Sequence, residues 1–340
     1  MKKSVYYAVA AAAVLLVLLP FVRRRGHVLV LAAVSEQREV YGDLIPLFQK
    51  HRFETTGKRV DVRASFLSGG VQSRAIAAGF PADVAALSKE SDLARLERAG
   101  LITRDWRAGK IRGITARSVV VIAVREGNPK DIRGWGDLAR PGLELVVPHP
   151  KVSGDAQWNF VALYGAAERG AAPPYAAGDE AAFRFCRDVF NNVVDFDKGA
   201  RESLLTFERG VGEAAVTRES DVLAARRAGG RMEKILPPST LLIEYPAAVV
   251  DRNADRHGVR PEAEAFVQFL MTEEAQTVFA RWGFRPSDRR VLARRRDLFP
   301  PVPDAMSVDE FGGWSEVGTV FFGPGGLFDQ VMEDVHASRS

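Results

Sequence analysis

One junction recurs along this chain and limits what it can fold into. A short apolar run meets a loop of small polar residues, and an amphipathic stretch follows. The first copy is Val-Leu-Val-Leu-Ala-Ala-Val at residues 28–34, running into Ser35-Glu36-Gln37. Others are residues 59–66 before Leu67-Ser68-Gly69-Gly70, and residues 143–147 before the turn that carries Ser153-Gly154-Asp155. Lys198-Gly199-Ala200-Arg201 and Thr217-Arg218 repeat the pattern. Between the first two copies, Val40, Leu44, Leu47 and Phe48 fall at helical spacing. Alternating strands and helices predict a parallel α/β sheet with helices on its faces. In such sheets the strand-to-helix junctions share the carboxyl edge, where ligands bind. The first N–H groups of each helix lack internal partners there, and the helix dipole adds partial positive charge, so the edge suits an anion. Ser and Gly also precede helices for capping alone, and each junction taken singly is open to that reading.

The remaining chain follows the same logic. Residues 119–124 read as a β-branched strand and residues 156–168 as a helix after the Ser153 loop. Residues 241–250 read as a strand, but Pro246 inside it predicts an edge or crossover position. Helices are expected at residues 180–191, 261–270 and 273–281, with a Gly- and Pro-punctuated tail wrapping the body. Ahead of all this, residues 4–22 form an uncharged apolar run between Lys2-Lys3 and Arg23-Arg24-Arg25. That run is long enough to span a bilayer and lacks a clean small-x-small cleavage site, so an uncleaved N-terminal anchor is favoured over a removed signal peptide.

Composition narrows the function classes. The 340 residues carry 47 Lys+Arg against 43 Asp+Glu, a net charge of +4. The charges are interleaved, which argues against a nucleic-acid partner. A single cysteine, Cys186, rules out an internal disulfide and any Cys-based metal spacing; it reads as core. No Gly-x-Ser-x-Gly, Walker A or His-Glu-x-x-His motif is present, and no histidine is spaced with a nucleophile. His149, beside the Ser153 loop, is the one histidine with a functional reading. Arg38, Arg201 and Arg218 are the cations placed to meet an anion, though each also reads as a surface or salt-bridge residue. Neither an enzyme nor a cofactor or metal is expected.

Several stretches together resemble the periplasmic sulfate/thiosulfate-binding proteins of ABC transporters. They are Thr56-Gly57-Lys58, Gln72 with Arg74, Ala82-Asp83-Val84, Asn128-Pro129-Lys130, and Trp135 to Leu138. To these are added Pro148-His149-Pro150-Lys151 with Ser153-Gly154, Trp158-Asn159, Phe311-Gly312-Gly313-Trp314, Gly325-Gly326 and Phe328-Asp329-Gln330. The likeness runs in order from about residue 28 to the end. It implies a two-lobe periplasmic binding protein of type II, with crossover hinge strands and an N-terminal hydrophobic segment added. The expected division is an anchor or signal segment at 1–26, a first lobe at 27–116 and a second at 117–246. Residues 247–340 return to the first lobe and form the tail.

The resemblance implies capture of a small inorganic oxyanion between the lobes and delivery to permease subunits. The protein would be a monomer outside the cytoplasmic membrane, tethered by its N-terminal segment. A site made only of donors selects a fully ionised oxyanion, whereas a carboxylate in it selects a protonated one. Carried over by position, the ligand residues are Ser35, Ser68, Gly69, Ser153, Gly154, Asp155, Ala200 and Arg218. Ser35 would contribute its backbone N–H, and so would Ala200. Four positions depart from the family pattern, the first being Ser35 in place of the usual Asp, a change that a backbone contact survives. The family's ligand serine falls at Gly69, leaving Ser68 one residue early. A glycine is replaced by Asp155, and the ligand tryptophan by Arg218. If Asp155 and Arg218 both face the cleft, another anion or a small organic acid becomes the alternative ligand. A tethered sensor or scaffold that has lost sulfate binding is the alternative role.

Overall fold

The computed structural model describes residues 27–109 and 112–339. The expected anchor, residues 4–22, lies outside the described residues. Among those described, no helix is long and apolar enough to cross a membrane.

β1 (His27–Val34) passes through a 3-10 turn at Ser35–Gln37 into α1 (Arg38–Thr56). Helix α1 buries Val40, Tyr41, Leu44 and Phe48, and it stops where Gly57 takes a left-handed φ of 69°. β2 (Val60–Leu67), α2 (Gly69–Ala77), β3 (Val84–Ala86) and α3 (Glu90–Arg98) follow. β1 lies parallel to both β2 and β3, with Val34 opposite Leu67 and Ala33 opposite Ala86. The carboxyl ends of all three strands therefore sit side by side. Ser35, Ser68 and Ser88 emerge along that one edge.

β4 (Ile114–Arg125) leads to a second unit of β5 (Leu145–Pro148), α4 (Gly154–Glu168), α5 (Asp179–Asn191), β6 (Val193–Asp197), α6 (Ala200–Glu208), β7 (Ala214–Arg218) and α7 (Glu219–Arg227). β5 is parallel to β6 and β7. After β8 (Met232–Ile235), β9 (Ser239–Val249) runs back antiparallel to both β4 and β3. The strand order β2-β1-β3-β9-β4-β7-β5-β6 places β9 and β4 between two parallel units. Pro246 thus lies in a central crossover strand, not at an edge. It is tolerated because the register with β4 shifts between Ile114 and Ala116, so no ladder N–H is needed from it. Its carbonyl still accepts the Leu87 N–H at 2.9 Å.

The chain then adds α8 (Asp251–His257), α9 (Arg260–Leu270), α10 (Glu273–Arg281), β10 (Arg285–Pro286), α11 (Arg289–Ala293), β11 (Asp304–Met306), α12 (Gly313–Val320) and α13 (Leu327–Arg339). α9 packs on the first unit through Phe266, whose ring meets Phe48 edge-on at 4.9 Å. α13 packs on the second unit, where Phe328 lies 5.4 Å from Phe160 and 5.5 Å from Phe190. Cys186 is fully buried in this second core, and burial pushes its thiol pKa up.

Three helices begin earlier than their sequence suggests. The helix expected from residue 156 starts at Gly154, and those after the Ser68 and Gly199 junctions start at Gly69 and Ala200, inside the stretches that read as loop. The small residues read as loop are therefore first-turn residues. Gly is poor inside a helix, but in the first turn, where no intrahelical bond is yet made by the N–H, it leaves the backbone approachable.

Candidate functional site

The carboxyl edges of the two parallel units face each other, and two side-chain bridges cross between them. Arg218, at the end of β7, donates from Nη1 to Glu36 Oε1 at 3.0 Å. It also grips Asp221 on its own unit, Nε to Oδ2 at 2.8 Å and Nη2 to Oδ1 at 3.2 Å. The Arg218 and Glu36 side chains are only 5% and 9% exposed, so this is a buried ion pair. The second bridge runs the other way. Lys89, just ahead of α3, donates to Gln157 Oε1 on α4 at 2.8 Å. Its ammonium also lies 3.7 Å above the Trp314 ring from the tail. Trp314 in turn meets Trp158 edge-on at 4.3 Å.

The residues singled out by sequence fall around this meeting of edges. Ser35 is exposed, with its hydroxyl 3.5 Å from Glu36 Oε2. Ser68 sits at the N-cap of α2, yet its exposed side chain makes no capping bond. Gly69 is buried at the first position of that helix. A Cβ there would lie 2.8 Å from Asp92 Oδ2 and 2.9 Å from Ser88 Oγ, so no side chain fits without displacing them. Burial raises the Asp92 carboxyl above its ordinary range, against the lowering pull of Lys89, Arg95 and Arg74.

On the second unit Ser153 is buried, and Gly154 opens α4. A Cβ at Gly154 would meet Lys89 Nζ at 3.7 Å, which brings the cation of one unit to the helix start of the other. The side chain of Asp155 lies outside the described residues. Ala200 is buried as the first residue of α6. One turn on, the buried Ser203 hydroxyl has no hydrogen-bond partner. Arg201 is exposed, and Arg38 lies over the Phe66 ring at 4.6 Å.

The Ser153 loop is held from behind. Its Val152 and Ser153 N–H groups both donate to the His149 carbonyl, at 3.0 and 2.9 Å. Lys151 Nζ reaches into the tail, to Phe322 O at 2.9 Å and Asp329 Oδ2 at 2.8 Å. His149 packs between Phe196 and Phe328, at 5.2 and 5.5 Å. Burial lowers its pKa, a tendency Lys151 reinforces. The imidazole is therefore a packing element of the loop; its Nδ1 accepts the Lys151 N–H at 3.1 Å.

Glu36, Ser88, Lys89, Asp92, Gln157 and Trp314 were missed by sequence reasoning. Ser88-Lys89 carried a usable signal, because they follow a buried strand and precede a helix like the other junctions. The remainder depended on reach across the gap. A separate hollow of about 540 Å³ is lined by Arg226, Arg231, Glu126 and neighbours, at the opposite end of β4 from these junctions. Among the described residues, no cluster of three His, Cys, Asp or Glu is placed to hold a metal ion.

Comparison with known proteins points the same way as the geometry. The family described as bacterial extracellular solute-binding protein matches residues 29–285. The sulfate-binding protein of Synechococcus elongatus is 38% identical over 311 residues, 90% of this chain and 86% of that protein. The thiosulfate-binding protein of Pseudomonas aeruginosa is 33% identical over 302 residues, 86% and 89% of the two chains. Among solved structures, the sulfate-binding protein SubI of Mycobacterium tuberculosis superimposes with a TM-score of 0.73 at 36% identity, covering 85% of this chain and 97% of that one. The apo ferric ion-binding protein A of Pasteurella haemolytica reaches a TM-score of 0.63 at 15% identity, a likeness of fold alone.

Proposed function

The chain belongs to the bacterial extracellular solute-binding proteins, and we propose that it captures sulfate or thiosulfate for an ABC importer. The observation that carries this reading is the convergence of helix starts from both units on one gap. α2 presents Gly69 from one side, while α4 presents Gly154 and α6 presents Ala200 from the other. Each unpaired first turn favours negative charge by about 0.3–1 kcal/mol, more where the site is partly buried. Backbone N–H groups at Ser35, Gly69, Gly154 and Ala200, with the Ser153 hydroxyl, are the donors of this site. They need no deprotonation and no metal.

In this reading residues 27–116 and 117–246 are two lobes hinged on β4 and β9, with residues 247–340 completing the body. The anion binds as the lobes close. The loaded protein is a monomer on the outer face of the cytoplasmic membrane, in the periplasm, tethered through residues 1–26. There it hands the anion to the permease subunits. It carries out no chemistry on the ligand.

One observation favours a second ligand class. Arg218 stands buried where the resemblance implies a neutral donor, and it brings Glu36 and Asp221 with it. Carboxylates near the anion favour a protonated oxyanion over sulfate. Isothermal titration of the full chain in detergent with sulfate, thiosulfate, phosphate and molybdate separates the readings. Sulfate or thiosulfate binding tighter than phosphate supports the first. Preference for phosphate moves the assignment to the second, and binding of none of the four ends the oxyanion reading.

A further inference from the structure

The hydroxyl that serves the start of α2 comes from an unexpected strand. The helix begins at Gly69, and its first backbone bond is Gln72 N–H to Ser68 O at 2.9 Å. The N–H groups of Gly69, Gly70 and Val71 precede that bond and have no acceptor within the helix. Ser68 does not serve them, because its side chain is exposed and makes no capping bond. Ser88 stands beside the first of these residues instead. It follows β3 and is 5% exposed, and its Oγ lies 2.9 Å from where a Gly69 Cβ would be. The hydroxyl makes no hydrogen bond within the described protein. Although the residue is 5% exposed, its Oγ is not among the fully enclosed polar atoms that lack a partner, so the hydroxyl stays reachable by a ligand beside the helix start.

The geometry points to Ser88 as a ligand-binding residue that donates its hydroxyl to an oxyanion held at the first turn of α2. Gly69 and Ser88 are then a complementary pair. The absence of a side chain at 69 leaves the space that the Ser88 hydroxyl enters from β3. Lys89, the next residue, extends the same strand end toward Gly154 on the opposite unit, so one short segment reaches both helix starts. Asp92 Oδ2 borders the same space, 2.8 Å from the Gly69 Cβ position, and its carboxylate faces the anion with like charge. The inference rests on the oxyanion reading above, and its test separates the two.

The test is titration of sulfate and thiosulfate into the full chain and its Ser88→Ala and Ser68→Ala variants, with melting temperatures measured without ligand. Ser88→Ala is expected to weaken binding about tenfold, the scale of one hydrogen bond to a charged group. Its unliganded melting temperature should stay within about 2 °C of wild type, because no bond is lost in the empty protein. Ser88→Ala binding within about twofold of wild type overturns the assignment and leaves the oxyanion reading intact. So does a loss of affinity in Ser68→Ala without one in Ser88→Ala. A fall in unliganded melting temperature that accounts for the weaker binding also overturns it, by making Ser88 structural. If wild type binds neither anion, both the assignment and the sulfate reading fall.

Discussion

Arg218→Ala is the perturbation with the largest consequence that the structure allows to be worked out. The guanidinium holds Glu36 at 3.0 Å across the gap and Asp221 at 2.8 and 3.2 Å on its own unit. Removing it leaves two carboxylates facing a closed space, with side chains only 9% and 16% exposed. Breaking a buried pair from one side costs about 3–5 kcal/mol, since the remaining charge keeps its desolvation penalty. Asp221 retains some solvent, which argues for the lower end, about 3 kcal/mol. At about 2–4 °C per kcal/mol for a protein of this size, the melting temperature should fall by roughly 6–12 °C. Scanning calorimetry of the unliganded protein at pH 7 measures it, and 0.5 M salt should change the difference little, because the pair is screened from bulk ions. Glu36→Gln tests the cross-gap half alone. It leaves the Arg218–Asp221 pair in place, so its cost should be about 1 kcal/mol while the average separation of the units in small-angle scattering increases. A fall below about 2 °C for Arg218→Ala would refute the reasoning, since it would place the guanidinium in water.

Other outcomes follow from the same contacts. Trp314→Ala removes the ring beneath Lys89 and the edge contact to Trp158; a loss of about 1–3 kcal/mol in denaturant titration is expected, with weaker oxyanion binding by calorimetry. Gly136→Ala would place a Cβ 1.7 Å from the Pro173 carbonyl oxygen, so it should destabilise by more than about 3 kcal/mol, read as loss of soluble protein or of a cooperative melt. The tail is also pinned by Arg169, which bonds Asp304 and Glu310. The Ser239 hydroxyl with Arg169 lowers the Asp304 pKa, and the Ser307 N–H with Arg169 lowers that of Glu310. Depressed carboxyl pKa values give stability that is present above the unfolded values near 4 and lost as pH falls through the folded ones. Protection against hydrogen exchange in residues 304–311, taken relative to the intrinsic rate at each pH, should therefore be high at pH 6 and fall below about pH 4. Arg169→Ala should shrink that acid-dependent step without abolishing it, because the Ser239 hydroxyl and the Ser307 N–H still lower the two pKa values.

The parallel α/β architecture was legible because it is written locally. The 28–34 run is apolar along its length, and α1 repeats Val40, Leu44 and Phe48 one or two turns apart, so period alone separates strand from helix. The anion-friendly helix starts were legible for the same reason, since Gly and Ser before an amphipathic run need no distant partner to be recognised. Local signals misplaced the starts themselves, because Gly69, Gly154 and Ala200 read as loop until packing puts them in a first turn.

Other features existed only once the chain had closed on itself. Pro246 left β9 open as an edge or a crossover strand, and only the closed sheet decides for a central crossover, where the shifted register with β4 removes the need for its N–H. Ser88 and Lys89 looked like an unremarkable strand end. Their importance comes from Gly69, 19 positions earlier, and from Gln157, which is 68 residues away. Arg218 showed in sequence as a discordant cation of unknown direction, and its buried partner Glu36 lies 182 residues from it. The residues alone determined that helix starts would line one edge of a parallel sheet, since backbone periodicity is set by neighbours. Which charges and hydroxyls meet across that edge was decided by tertiary structure, because a side chain finds its partner by distance in space and not along the chain.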